Sequence, residues 1–449
     1  MVDQKEHCQD IIDAAISHAS GKSDGIEVSV SGSNVATSRF ANNEMTQNQS
    51  PNVESVSVRV IVNGRQARLA SDQTSVKAIR ELVDNTIFAA NLLDKDPELP
   101  ELFAGGEKHD RAPSRFDLNT SGIDPKGRAG HIKEMIEVAK EHSLVGAGTY
   151  SSGEWYIAVG NSKGLFRFHR ETSAEASITM RTGDSAGWAK AQSAKAKDVD
   201  PLKLASRAAE KSLGGKHAIE IDPGQYRVIL EPAAVLDLLC FLWYDFSATS
   251  HLDKVSSLLN KQGQKVFADK INITDDCRHP AQSGAPFDGE GVERKAVRLV
   301  EKGFFKNLVY GRRSAKKLRS KPTGHGLAEP NVFGEYPENL VVAGGDTSLE
   351  KMISTSDHAI LVTRVWYVRV VDPASVLLTG LTQDGTFLIE NGQIKSGVKN
   401  MRFNVSIHEM LNKVLALGPS LRTAGEEGAP AVVPPMTVAD FNFTEHSLF

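Results

Sequence analysis

The apolar positions of the first half switch repeatedly between helical and strand spacing. Over residues 3–18, Cys8, Ile11, Ile12 and Ala15 fall on one side of a helix. Residues 25–40, GIEVSVSGSNVATSRF, alternate with period two and predict two strands around a Ser-Gly-Ser turn. Residues 53–70 predict a hairpin: Val56, Val58, Val60 and Val62 alternate with Ser and Arg, and Asn63-Gly64 supplies a tight turn with positive φ. Ser71 or Asp72 then caps a helix with Val76, Ile79, Leu82, Val83, Ile87 and Ala90 on its apolar face. Residues 93–117, rich in Pro, Gly and charge, predict an exposed linker. Helical spacing returns at 125–142 through Ile132, Met135, Ile136 and Ala139. Residues 149–180 predict long strands joined at Asn161–Gly164, and 201–213 a helix ended by Gly214-Gly215.

The second half opens with a strand at 224–232 and an apolar helix at 233–246, followed by an irregular region at 263–292. Strands are predicted within 297–310, 339–345, 359–372 and 375–400, the last with turns at Asp384-Gly385 and Asn391-Gly392. Ile407, Met410, Leu411, Val414 and Leu415 form a helical stripe, so a helix over 406–417 closes the series before Gly418-Pro419. No regular alternation of strand and helix occurs, which argues against a doubly wound parallel sheet. The predicted fold class is α+β. An N-terminal antiparallel sheet with helices occupies 1–220, divisible at 1–95 and 118–220, and a C-terminal domain at 221–449 is dominated by antiparallel, barrel-like β-sheet.

Bulk properties narrow the function classes. The 449 residues carry 52 basic and 56 acidic side chains, a net charge of -4, which gives no general attraction to nucleic acid. Three cysteines, Cys8, Cys240 and Cys277, are too few and too scattered for a disulfide framework. The N-terminus has no signal-peptide pattern, and the most apolar stretch, 233–246, is too short to span a bilayer and contains Asp237 and Asp245. A soluble, cytoplasmic protein is expected.

Candidate chemistry is sparse. His408-Glu409 begins like a zinc-peptidase helix, but the fourth and fifth positions after His408 are Asn412 and Lys413, neither a usable ligand. Glu409 and Lys413 suit an i, i+4 pair on the wet face instead. His251 with Asp253, and Asp275, Cys277 and His279, are the remaining metal-like clusters; no second cluster completes the four donors a tetrahedral site needs, so a polar loop with Asp caps is the better reading. His325 stands between two glycines and could serve as a general base or binding group. The basic run at 310–321 could touch phosphates, but it lacks interleaved aromatics and fits a solvated loop or subunit contact better. Asn42, Asn43, Asp384 and Thr386 sit at turns beside strands, whose edges could take an extended peptide by main-chain hydrogen bonds. Arg364 and Trp366, two apart, share one face of a strand as channel-wall candidates.

Several longer segments carry a family resemblance. DDCRHPAQSGAPFDGEGVERKAVRLVEKGFFKNLVYGRRSAKK (275–317), GGDTSLEKMI (344–353), STSDHAILVTRVWYVRVVDPASVLLTGLTQDGTFLIENGQI (354–394), KNMRFNVSIHEMLNKVLALGP (399–419) and SRFANNEMTQN (38–48) resemble the TldD/PmbA proteins, once called modulators of DNA gyrase. The resemblance implies a zinc peptidase whose TldD-type members carry a His-Glu-x-x-x-His helix after the strand opening the second half, and a late Cys ligand. Here that helix places Leu239, Cys240 and Tyr244 at the motif positions, no His lies between His217 and His251, and no Cys follows Cys277. The chain therefore looks like the PmbA (TldE) type, which lacks the motif. The resemblance implies a subunit that is non-catalytic alone, has no cofactor of its own, and pairs with a TldD-like zinc subunit or a second copy of itself. It would help bind unfolded or leader peptides for proteolysis, without nucleic acid or membrane. Two other readings remain open: a divergent metallopeptidase using His251, Cys277, His279 or His325, and a regulator of DNA gyrase.

Overall fold

The computed structural model describes residues 3–105 and 114–447. The first apolar stripe forms α1 (Gln4–Ala19), capped by the Asp3 side chain, with Cys8, Ile11, Ile12 and Ala15 buried. The following stretch departs from the predicted pair of strands. It is one continuous 17-residue strand, β1 (Gly25–Ala41). Gly32 is not a turn residue. It faces Tyr156 across the sheet, and a Cβ there would lie 2.2 Å from the tyrosine ring, so the glycine makes room for that ring. The chain reverses instead at Asn42-Asn43, both at positive φ (52° and 63°), into β2 (Glu44–Gln49). The expected hairpin forms from β3 (Val53–Val62) and β4 (Arg65–Ser71), with Asn63 and Gly64 at φ 51° and 75°. The next helix, α2 (Val76–Leu92), is capped by Ser75 rather than Ser71 or Asp72, because β4 continues through Ser71. Ile79, Leu82, Val83 and Ala90 are buried as expected, whereas Val76 in the first turn is exposed.

The linker is less exposed than its composition implies. Leu102 is buried, and Phe103 packs with Val159, Leu165 and Phe287. Its segment 106–113 lies outside the described residues. Beyond it come α3 (Leu118–Ser121), α4 (Pro125–Glu141), the long hairpin β5 (Val145–Asn161) and β6 (Phe166–Arg181), β7 (Ala186–Ser193) and α5 (Pro201–Gly214). One antiparallel sheet, ordered β4-β3-β1-β5-β6-β7 with β2 on β1, runs through this whole half. α1 and α2 cover one end of it and α4 and α5 the other, giving two separate apolar cores.

The second half opens with β8 (Gly224–Leu230), then α6 (Pro232–Leu239), which tightens to a 3₁₀ helix over Cys240–Phe246, and α7 (Ala248–Leu252). The irregular region contains β9 (Ile273–Asp275), and is followed by β10 (Val297–Glu301), β11 (Phe304–Phe305), α8 (Arg312–Lys317), β12 (Leu340–Val342) and α9 (Leu349–Ser354). Residues 359–372 divide into β13 (His358–Val362) and β14 (Val365–Asp372). Next are β15 (Leu377–Thr382), β16 (Thr386–Glu390), β17 (Gln393–Gly397) and β18 (Met401–Ser406). The predicted closing helix is shorter than expected. α10 (Ile407–Asn412) ends after one and a half turns, and Val414 begins a strand, β19 (Val414–Leu417), leaving Leu415 exposed. Lys413 accordingly meets Asp440 at 3.6 Å, not Glu409. Last are β20 (Leu421–Thr423), β21 (Ala431–Val433) and β22 (Met436–His446).

These strands make two sheets. The larger is ordered β14-β15-β18-β22-β8-β13-β16-β17 with β19 on β22, and curls strongly into a half-barrel. The smaller is ordered β11-β10-β9-β12-β21-β20. Pairing is antiparallel except between β13 and β8 and between β12 and β21. The apolar α6 lies between them: Val235, Leu236, Leu238 and Leu239 are fully buried in the core that joins both sheets. The molecule is thus α+β, and no described helix is long and apolar enough to cross a membrane.

Candidate functional site

Four of the seven predicted site residues converge, and three take structural roles elsewhere. Asn43 pins the loop between α4 and β5: its Nδ2 donates to the Leu144 carbonyl (2.8 Å) and its Oδ1 accepts from the Gly146 N–H (2.7 Å). Asn42 is the exposed first residue of the same turn. His325 is buried, with Nε2 2.9 Å from Asp275 Oδ1 and Nδ1 2.9 Å from Thr323 Oγ1. Burial opposes ionisation of Asp275, but His325, the Arg294 charge and the Asn339 N–H together outweigh it and hold the carboxyl below its ordinary range. His325 therefore ties a loop to β9 and is not poised as an accessible base.

Arg364, Trp366, Asp384 and Thr386 gather where β14 and β16 approach the β6–β7 turn of the first half. A cavity of about 870 Å³ lies here, with Arg181, Asp184 and Ser185 on one side and Arg364, Asp384, Thr386 and Lys399 on the other. A second cavity of about 400 Å³ adjoins it, walled by Trp366, Tyr367, Leu381 and Arg402. The two share Gln383, Asn400 and Ser447 in their walls; the larger is of mixed polarity and the smaller mostly apolar.

Arg364 organises the junction. Its Nη1 donates to Asp384 Oδ2, its Nη2 lies 3.7 Å from Glu426, and its guanidinium lies over the Trp188 and Trp366 rings at 4.7 and 5.2 Å. Burial pushes the Asp384 carboxyl up, and the facing guanidinium only partly pulls it back. Thr386 Oγ1 is buried without a hydrogen-bond partner among the described residues. Asp384 and Gly385, at φ 51° and 137°, make the turn that brings Asp384 to Arg364. Sequence reading missed Trp188, Tyr367 and Glu426. Trp188 and Glu426 come from distant segments with no local signal. Tyr367 is adjacent to Trp366 and should face the opposite way, but its positive φ (54°) and the register shift beside it form a bulge that lets both rings line one cavity.

The residues at the positions where TldD-type relatives would carry the metal motif have side chains that do not suit a metal. Leu239 is fully buried in the core, and Tyr244 donates its hydroxyl to the Phe333 carbonyl at 3.3 Å. Cys240 donates to the Asp237 carbonyl at 3.4 Å, and burial pushes its thiol well above the ordinary range, against the thiolate a metal needs. Asp237, on the same helix, is fully buried and accepts backbone N–H groups from Glu426, Glu427 and Gly428 at 2.9–3.1 Å. It fastens α6 to the 425–428 loop, and a Cβ at Gly425 would lie 2.1 Å from Asp237 Oδ1. The other metal-like clusters do not converge either: Arg115 Nη2 takes the Cys277 carbonyl, His279 Nδ1 accepts from the Ala281 N–H, and His251 Nε2 meets the Asp245 carbonyl. Among the described residues no group of three or more His, Cys, Asp or Glu is placed to hold a metal ion.

Half of the cations in the basic run are committed to internal contacts, while Lys316, Arg319 and Lys321 are exposed. Arg312 pairs with Glu290 (3.0 Å), Arg313 with Asp96 and Glu329 (2.8 and 2.9 Å), and Lys317 with Glu98 (2.6 Å). α8 therefore clamps the linker to the second half.

Comparisons with known proteins agree with this architecture. Family models described as PmbA/TldA metallopeptidase domain 1, central domain and C-terminal domain match residues 26–90, 120–215 and 223–445. Metalloprotease PmbA of Escherichia coli O157:H7 is 23% identical over 459 aligned residues, covering 97% of each chain. A metalloprotease of Methanocaldococcus jannaschii is 26% identical over 219 residues, 48% of each chain. Among solved structures, TldE from Thermococcus kodakarensis superposes with a TM-score of 0.85 at 20% identity, covering 98% of this chain and all of that one. A Thermotoga maritima protein described as a modulator of a DNA gyrase superposes equally, with a TM-score of 0.85 at 20% identity over 97% of this chain and 99% of that one.

Proposed function

The chain belongs to the PmbA/TldD metallopeptidase family, and from that premise we propose that it is a PmbA/TldE-like subunit without a metal site of its own. It acts in the cytoplasm beside a TldD-like zinc subunit, or a second copy of itself, and helps hold unfolded or leader peptides for proteolysis. The observation that carries this reading is the make-up of α6 and the turn after it. Leu239, Cys240 and Tyr244 are a core side chain, a protonated thiol and a hydrogen-bonded phenol. A metal-activated water needs several protein ligands and an open position. The cavities beside β14 offer what a peptide-holding subunit requires: an edge strand, an apolar compartment and one lined by charged groups.

The experiment is a reconstitution with an unfolded peptide. The chain alone should bind the peptide and leave it intact, and cleavage should begin only when a TldD-like partner loaded with zinc is added. Chelator-sensitive cleavage by the chain alone, abolished by His279→Ala or Cys277→Ala, would overturn the proposal in favour of a self-sufficient peptidase.

A further inference from the structure

We propose that the apolar compartment beside β14 anchors one large apolar or aromatic side chain of an extended peptide, and that Arg364 is the positioning residue that fixes its wall, Trp366. This rests on the reading of the chain as a peptide-binding subunit and adds the side-chain class it selects.

β14 is an edge strand, hydrogen-bonded only to β15 in the described sheet. It nevertheless exposes four large apolar side chains: Trp366 (41%), Tyr367 (56%), Val370 (45%) and Val371 (57%). Natural edge strands carry charges or short lengths to avoid such exposure, so an aromatic-rich edge points to a partner. The aromatic pair is also held in place. Trp366 lies against the Arg364 guanidinium, which is itself over Trp188 and ion-paired to Asp384 and Glu426. Tyr367 lies against Arg369 at 4.5 Å, and Arg369 is 3.7 Å from Glu427. Each ring has one face occupied, and both line the same cavity. Side chains fixed before binding lose little entropy when a ligand arrives.

The edge is shaped for a short extended segment and not for a second sheet. Its register with β15 shifts twice, between Trp366 and Arg369 and between Val370 and Asp372. The Val368 N–H is already taken by the Glu427 carboxylate at 3.3 Å. A long, straight strand of another copy would find these positions kinked or filled. A few residues of extended peptide avoid the problem. The apolar cavity also adjoins the larger one, whose lining carries charged groups, at Gln383 and Asn400. An extended chain sends alternate side chains to opposite sides. It can therefore place an apolar group against Trp366, Tyr367 and Leu381 while a polar neighbour reaches the Arg181, Asp184 and Lys399 end.

The test uses the full chain and fluorescein-labelled unfolded peptides of about ten residues. They are identical except for Phe, Leu, Ala or Asp at one central position, and binding is read by anisotropy. Wild type should bind the Phe and Leu peptides about tenfold more tightly than the Ala and Asp peptides. Trp366→Ala should abolish that preference, weakening the Phe and Leu peptides more than the Ala and Asp peptides. Arg364→Gln should reduce the preference, and Arg364→Lys should restore part of it, since a lysine keeps the charge over the indole. Circular dichroism checks folding, and Leu381→Ser, on another wall of the same cavity, is the second variant should Trp366→Ala not fold. Equal binding of all four peptides by wild type, or an undiminished preference in Trp366→Ala or Leu381→Ser, overturns the inference while leaving the peptide-binding reading standing. If no peptide binds, alone or with a zinc-loaded partner, that reading fails as well.

Discussion

Asp237 fastens two segments that lie nearly 190 residues apart in sequence. It is fully buried, and three successive backbone N–H groups of the 425–428 region converge on it. Removing it leaves those donors unpaired in the interior. Asp237→Ala should therefore destabilise the fold by about 3 kcal/mol in urea denaturation, the range expected for orphaned buried polar groups. Because Glu426 and Glu427 from that loop contact Arg364 and Arg369, the variant should also loosen the cavity wall. Glu290 supplies a pH dependence. It is buried beside Asp288, with Arg312 at 3.0 Å and with Glu27 and Arg59 also acting on it. Burial pushes its carboxyl from 4.5 up to about 7. The folded state thus holds a proton that the unfolded state releases. Its stabilising contribution is full below about pH 4.5 and is lost as pH rises through 7. Glu290→Gln cannot lose that proton. Its stability relative to wild type should rise between pH 5 and pH 8, by at most about 3 kcal/mol. His408 works in the opposite direction, since burial pushes it down to about 4, so stability from that site falls as pH drops below 6.5. Comparing Glu290→Gln with wild type at each pH cancels this second contribution.

At the scale of elements, most of the fold was legible because period and turn chemistry agreed. The β3–β4 hairpin, α1, α4, the β5–β6 hairpin and α5 follow from apolar spacing, Asn-Gly or Gly turns and Asp or Ser caps. The misreadings have physical causes. Ser-Gly-Ser at 31–33 resembles a turn, but Gly32 is small because Tyr156 needs the space, and such a cross-strand demand leaves no local trace. Val414 and Leu415 continue a helical period by coincidence, and pairing with β22 takes them into a strand. The candidate site was half legible. Arg364 and Asp384 were found from strand and turn patterns, while the bulge at Tyr367 and the contributions of Trp188 and Glu426 depend on tertiary contacts. Asn43 offers a test of an element boundary that was legible. Asn43→Ala removes two side-chain hydrogen bonds and places alanine at φ 63°, so it should cost about 2–3 kcal/mol. Asn42→Gly, at the neighbouring positive-φ position, should be nearly neutral in the same denaturation series.

At the scale of the whole molecule, charged side chains of α8 and β4 bind the halves together through an ion pair and a hydrogen bond. Arg313 joins α8 to Asp96 of the linker and to Glu329, and Arg68 of β4 donates to the Glu329 carbonyl at 2.5 Å. Which charges would meet across such distances is invisible in the sequence, where the same residues read as a basic run. Arg313→Ala should raise amide hydrogen exchange in β3 and β4 and lower the unfolding midpoint, with little change in exchange around β20–β22. The overall arrangement combines the architecture of a metallopeptidase family with a helix whose side chains suit packing and hydrogen bonding. The most direct test is to dialyse the purified chain against excess zinc, pass it through a chelating column and measure bound metal, with a TldD-like partner treated in parallel. The partner should retain zinc and this chain should emerge without it, whereas one zinc retained per chain, lost on replacing its own histidines or cysteines, would contradict the central claim.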